Sequence, residues 1–204
     1  MSQLKLTADS GGGTVAIKGP ASTTGNAALE MTVPSAASGT LDSLNRAGNI
    51  LQVVNVFSNT HMTSTSTSYV DLTGITATIT PASSSNKILI VCNIALSKQD
   101  NHSFLGIMLR NGSTISGSGG VAEDAHGNQE AGTWWNVRNS NSCANPSVIH
   151  YLDSPATTSA VTYKAQGKTS NATKAFSLNK TNGGANYSYS SPTFSSITLW
   201  EVVA

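Results

Sequence analysis

The chain reads as a series of short alternating runs. Within residues 71–80, Ile75, Ala77 and Ile79 alternate with Thr76, Thr78 and Thr80, the period-two pattern of a half-buried strand. Residues 50–57 form a β-branched run, and 87–96 are apolar on both faces, as in a central strand. The run 104–110 leads into Asn111-Gly112 and a return strand at 113–116; Asn-Gly between such runs is the strongest short hairpin signal. Further strands are predicted at 133–138, 147–152, 160–166, 174–178 and 196–203. Ser, Gly, Asn and Pro clusters separate them at the spacing of sandwiches and jelly rolls. No amphipathic helical pattern of useful length occurs, so the predicted class is all-β, an antiparallel β-sandwich. The last strand reaches almost to the final residue, which predicts an inserted C-terminus with Trp200 in the core.

Before residue 50 the pattern thins. Short strand-like pieces at 4–7, 14–18 and 28–33 are separated by Gly11-Gly12-Gly13, Gly19-Pro20 and Pro34, all turn signals. Leu4, Leu6, Val15, Ile17, Leu29, Met31 and Val33 are the apolar positions of this stretch. They are too few to close a core, so residues 1–49 are expected to be an extended β arm that orders against sister chains or a larger body. Residues 50–204 are expected to form the folded knob.

Composition sharpens this picture. The 204 residues include 30 Ser and 24 Thr but only 10% charged residues, with a formal net charge of +1; ordinary soluble domains carry about 25% charged residues. Water-facing positions are therefore hydroxyls, amides and glycines, which compete with helix and tolerate strand and turn. Helical bundles, disorder by charge repulsion and electrostatic nucleic-acid binding are excluded. No run approaches the roughly 18 apolar residues of a membrane span. The opening Met1-Ser2-Gln3-Leu4-Lys5 has no signal-peptide core, so the chain is expected to be made and left in a cytoplasm.

Candidate chemistry is sparse. Cys92 and Cys143 are too few for a disulfide framework or a structural zinc site. Cys92, in phase with Ile88, Ile90 and Ile94, reads as a small buried hydrophobe, and the sequence leaves open whether the two are bonded. Glu123, Asp124, His126 and Glu130 are the one local group of metal-capable side chains, but their spacing matches no zinc or calcium pattern. They lie in a long polar segment, 116–132, placed where a partner-reading loop would sit. Trp134-Trp135 points one ring to each side of a strand, and an exposed Trp makes a platform for a sugar ring or a protein partner. Trp134, Trp135, Glu123, Asp124 and His126 are thus the candidate contact residues. His150, Asp153 and Ser154 are nearby in sequence, but no Gly-x-Ser-x-Gly elbow lifts a nucleophile. Gly117-Ser118-Gly119-Gly120 lacks the lysine and helix of a phosphate loop. The expectation is a protein that is not an enzyme and uses no cofactor or metal.

Two stretches carry a family resemblance: residues 13–21, Gly-Thr-Val-Ala-Ile-Lys-Gly-Pro-Ala, and 28–34, Ala-Leu-Glu-Met-Thr-Val-Pro. They resemble an N-terminal module of tailed-bacteriophage virion proteins, in which a Gly-rich strand pair precedes a Thr-Val-Pro-like strand. Gly48-Asn49-Ile50-Leu51-Gln52-Val53 is similar to the join that follows it. The body, with Tyr69-Val70-Asp71-Leu72-Thr73-Gly74, Asn86-Lys87-Ile88-Leu89-Ile90, Leu109-Arg110-Asn111-Gly112 and Thr198-Leu199-Trp200-Glu201, resembles the small knobs of phage tail fibres and head fibres. The resemblance implies a homotrimer with a jelly-roll knob of the tumour-necrosis-factor or C1q type, located in the virion. Its arm would mount on tail, baseplate or major capsid protein, and its knob would meet the host surface, with a surface glycan as a possible ligand. A capsid decoration or head-fibre role is the alternative. No nucleic-acid partner and no membrane insertion are implied.

Overall fold

The computed structural model describes residues 3–7, 14–18, 46–98, 102–115, 134–135, 140–181 and 193–204. The chain divides into two compact units, Met1–Leu41 and Asp42–Ala204. In the first, β1 (Gln3–Thr7) and β2 (Thr14–Lys18) form an antiparallel hairpin that pairs Leu4 with Ile17 and Leu6 with Val15. A lone hairpin is marginal in water, in keeping with the small number of apolar residues here. The expected third arm strand, with Leu29, Met31 and Val33, lies outside the described residues.

The second unit is all-β, built from two antiparallel sheets with no helix among the described residues. In the larger sheet β6 (Lys87–Lys98) pairs on one side with β10 (Ser140–Asp153). Its other side pairs first with β13 (Ser195–Val202) and then with β12 (Phe176–Leu178). Beyond these lie β3 (Ile50–Ser58) against β13 and β4 (Met62–Ser64) against β12. The sheet is thus four strands wide, and two of the four positions are made of segments laid end to end. The smaller sheet runs β5 (Val70–Ile79), β11 (Val161–Thr169), β7 (Phe104–Arg110), β8 (Ser113–Thr114), with β9 (Trp134–Trp135) also pairing with β7. The β7–β8 link is the anticipated Asn111-Gly112 turn. Both residues are left-handed, at φ 49° and 86°, as a two-residue type I′ turn requires.

Register explains the core. Across β10, β6, β13 and β3 the inward positions form rows: Ile149–Cys92–Ile197–Val56 and Tyr151–Ile90–Leu199–Val54 in the middle. Against them pack Leu72, Ile75, Ile79, Phe104, Met108, Val161 and Tyr163 of the smaller sheet, forming one shared core. The Phe104 and Phe176 rings meet edge-on at 5.0 Å between centroids, a favoured aromatic geometry. Gly167 sits under Phe104, where a Cβ would come within 2.5 Å of the ring. Cys92 is fully buried and its thiol is free.

The flanking rows are polar. One, at the first end, is Asp153–Ile88–Glu201–Gln52; the other, toward the second end, sets Ser147 beside Ile94 and Ser195 beside Ser58, with Leu96, Leu178 and Met62 continuing the core beyond it. At the second end the chain leaves the sheet after β12 and re-enters at β13. Asn179 bridges that break, fully buried and left-handed at φ 58°. Its backbone N–H donates to Ala95 O, its Nδ2 donates to Ser58 O and Thr60 O, and its Oδ1 accepts from Ser195 Oγ at 2.6 Å. Ser195 Oγ in turn accepts from Ala95 N–H at 3.0 Å.

Two expectations need correction, and one strand was not expected. Trp200 is not in the core. Glu201, Leu199 and Ile197 take the inward phase, which leaves Trp200 half-buried on the outer face. The strand expected at 147–152 begins seven residues earlier, because Ser140–Asp153 continues β10 through polar residues and Pro146. Strand β4 had no apolar alternation to announce it, and it exists because β12 offers it a partner.

Removing the Asn179 side chain leaves two backbone carbonyls and the Ser195 hydroxyl without their buried partner. Asn179→Ala is expected to destabilise the unit by about 2–3 kcal/mol. Chemical denaturation of the purified chain measures it, and a loss below 0.5 kcal/mol would mean the break is held by other contacts.

Candidate functional site

Trp134 and Trp135 fall on β9, whose backbone pairs Trp135 with Leu105 and Trp134 with Gly106. Of the strand expected at 133–138, the described residues show these two, at the margin of the smaller sheet. Glu123, Asp124, His126 and Glu130 lie outside the described residues. Among the described residues no three His, Cys, Asp or Glu side chains converge as a metal site would need. His150 and Asp153 do not come together either: an odd spacing on one strand sends His150 to the exposed outer face and Asp153 into the interior.

What the fold does assemble are two buried carboxylates at one end of the sandwich, and neither was anticipated as a cluster. Asp153, 3% exposed, accepts from Arg110 Nη1 at 2.9 and 3.0 Å and from Tyr163 Oη at 2.6 Å. Arg110 closes β7 and Tyr163 lies on β11, whereas Asp153 ends β10, so the cluster ties the two sheets together. Burial pushes the Tyr163 hydroxyl well above its ordinary range, and the Asp153 charge beside it adds to the effect. The phenol therefore stays protonated and remains a donor. The phase of Asp153 with Ile149 and Tyr151, and of Arg110 with Met108, was the sequence signal for this cluster.

The second carboxylate, Glu201, is fully buried and is held by amide donors. Asn86 Nδ2 (2.6 Å) and Ala82 N–H (2.7 Å) donate to Oε1, and Gln52 Nε2 (2.6 Å) donates to Oε2. Burial alone would raise its pKa. The bonds from Asn86, Gln52, Ala82 and Ser83 outweigh that effect and hold it below the ordinary 4.5. Gln52 also donates to Thr80 O, so Glu201 organises the 80–86 connection between the sheets. Its place in phase with Leu199 and Ile197 marked it as inward in the sequence. The amides that receive it come from loops that no periodicity indicates.

The remaining feature is the outer face of the larger sheet. Here the register aligns Leu152, Leu89, Trp200 and Val53 in one row across all four strands. Val148 and Phe57 occupy the two ends of the next outward row but one, four residues along their strands. Val53 is 53%, Phe57 57%, Val148 52% and Leu152 46% exposed. Phe57 is stacked against exposed Phe194 at 4.8 Å between centroids. The smaller sheet differs: its outer side carries Lys164 bonded to Asp71 at 2.9 Å, Gln166 on the same carboxylate, and Lys168 over the Tyr69 ring. These bonds hold the Asp71 carboxyl below its usual range, Gln166 first and Lys164 next.

Two outcomes follow for the carboxylates. Because the folded-state pKa of Glu201 is depressed, its contribution is complete above the unfolded value near 4.5 and is lost as pH falls through the folded value. Glu201→Gln is thus expected to lower stability at pH 7 by about 1–3 kcal/mol and to flatten the acid limb of the stability–pH curve. Urea titrations from pH 3 to 7 measure both, and an unchanged acid limb would assign that limb to other carboxylates. For the intersheet cluster, Arg110→Met and Tyr163→Phe are each expected to cost about 1–2 kcal/mol, with Arg110 half in solvent. Their double mutant should fall short of additivity, because both bonds end on Asp153. Strict additivity in a denaturation cycle would show that the two bonds act independently. No protein-family model matches the chain, and no curated protein matches it.

Proposed function

We propose that this chain is a structural protein of a tailed-phage virion, a trimeric tail-fibre-type appendage. Its N-terminal arm attaches it to the particle, and its sandwich knob meets the host surface. The observation that carries this reading is a pairing of two units with complementary needs. The first contains a short hairpin with too few apolar residues for a core of its own, suited to capture by a larger body through strand pairing. The second is a sandwich with an uncharged, apolar outer face that gains from a neighbour. The resemblance of residues 13–34 and of the knob strands to phage fibre proteins supports the same reading.

The low charge suits it as well. A particle that persists outside cells meets a wide range of salt, and ion pairs at its surface would be screened to different degrees. Here surface strands are instead joined by hydroxyl and amide pairs such as Thr78–Thr162 at 2.8 Å and Asn55–Thr198 at 2.7 Å.

Immunogold electron microscopy tests the proposal on virions of the phage that encodes the chain, with antibody raised against residues 50–204. Gold at the tail or its fibres is the expected result. Gold spread over the head would replace the adsorption role with capsid decoration, and unlabelled particles whose protein gel lacks the chain would overturn the virion reading altogether.

A further inference from the structure

We infer that Asn111 is a site of spontaneous deamidation that the β7–β8 hairpin holds closed: its side-chain amide is lost only when the hairpin opens. This goes beyond the virion reading above and holds whatever the chain is attached to.

The chemistry is that of asparagine followed by glycine. The Gly112 backbone nitrogen gives up its proton to solvent base and attacks the side-chain carbonyl carbon of Asn111. A bond from that nitrogen to Cγ forms, the Cγ–Nδ2 bond breaks, and Nδ2 leaves as ammonia after taking a proton from water. Water then adds to one or other carbonyl of the cyclic imide and opens it, giving aspartate or its isoaspartyl isomer. Nothing is oxidised or reduced, and water is the one co-reactant. Glycine suits the step because it sets no side chain in the path of the attacking nitrogen.

Access does not protect the pair. Asn111 and Gly112 are exposed, and a Cβ added at Gly112 would meet nothing within 4 Å. Conformation protects it instead. Closing the five-membered ring requires the Gly112 nitrogen to lie nearly eclipsed with Cβ about the Cα–C bond of Asn111. The type I′ turn does the reverse. With φ at 49° and ψ at about +30°, it puts the nitrogen and Cβ almost opposite each other, out of bonding reach.

Three hydrogen bonds keep the turn from rotating. Asn111 N–H donates to Thr162 O at 2.8 Å, and Asn111 Oδ1 accepts from Thr162 N–H at 2.8 Å, so backbone and side chain are both tied to β11. Ile115, buried in the core, anchors the return strand, and its N–H donates to Met108 O at 3.0 Å. Swinging the Gly112 nitrogen toward Cγ carries residues 112–115 away from β7. The pairing of Arg110 with Ser113 and of Leu109 with Thr114 must therefore break first, as a local opening. Conversion is not neutral for the fold. The aspartyl product keeps an oxygen for Thr162 N–H, but the isoaspartyl product adds a methylene to the main chain of a two-residue turn, and the I′ geometry cannot re-form.

Peptide mapping by mass spectrometry tests this on the full chain, aged in mildly alkaline buffer with and without guanidinium, with circular dichroism to verify which samples are folded. Asn182-Gly183 is the chain's other Asn-Gly pair and calibrates the unfolded sample. Both pairs are expected to convert at similar rates in guanidinium, and folding is expected to slow conversion at Asn111 by at least about tenfold. Ile115→Ala loosens the return strand and leaves the Asn-Gly pair intact, so it should speed conversion at Asn111 in the folded chain several-fold. If that variant fails to fold, Ile115→Val takes its place. Conversion at Asn111 as fast in the folded chain as in the unfolded one would overturn the lock. A slow folded rate that the folded Ile115 variant does not raise would show that the hairpin is not the gate. No conversion at Asn111 in guanidinium, while Asn182 converts, would remove the site itself.

Discussion

Strand β6 is paired along both edges, and on one of them its partner is broken in two. A break inside a sheet exposes backbone donors and acceptors that neither water nor a ladder can reach. The Asn179 amide fills the gap with bonds to Ser58 O at the end of β3, to Thr60 O in the link to β4, and to the serine that restarts β13. The left-handed backbone at this residue turns the chain out of the sheet, a conformation that asparagine tolerates better than most residues. Phase survives the excursion: Leu178 and Ser195 both point inward, opposite Leu96 and beside Ile94. The chain therefore re-enters the sheet at Ser195 in the phase it left at Leu178.

The scarcity of charge sets the style of everything else. With ten acidic and eleven basic residues in 204, no large ion-pair network is available, and the acids that are buried are met one at a time. Glu201 is neutralised by amide dipoles and Asp153 by one arginine and one phenol. Both stand in the same inward row, at the end where the 80–86 connection crosses. On the exterior, Thr78–Thr162 and Asn55–Thr198 bond across strands where other proteins would place Lys–Glu pairs. Such contacts depend little on ionic strength.

Much of the fold was legible because period two is a strong signal when one face is buried. The runs around Ile75–Ile79, Ile88–Ile94 and Ile197–Leu199 announce both strand and inward phase, and Asn111-Gly112 announces its turn. The misses share a cause. Residues 140–146 of β10 and the whole of β4 have no apolar alternation, and they become strands because a neighbouring edge supplies their hydrogen bonds. Trp200 is expected inside with the inserted C-terminal strand, but phase decides: in a strand, the residue between two core positions must face the other way. The carboxylate clusters were half legible. Phase places Asp153 and Glu201 inside, yet the groups that satisfy them arrive from distant strands and loops, which no local pattern encodes. The loop group Glu123, Asp124 and His126 stays a reading of the sequence alone.

The two outer faces of the sandwich obey different rules, and that asymmetry is where fold and function meet. One carries lysines, an aspartate and a glutamine that bond to one another and keep their water. The other carries Leu, Val, Trp and Phe with threonine, asparagine and a single histidine. Nothing in the packing of the core demands the difference, because outward residues contribute little to it. Evenly polar faces would serve a solitary domain better, since bare apolar area on a strand-rich surface invites unwanted pairing. An apolar face on such a surface persists without aggregation when it has a defined occupant.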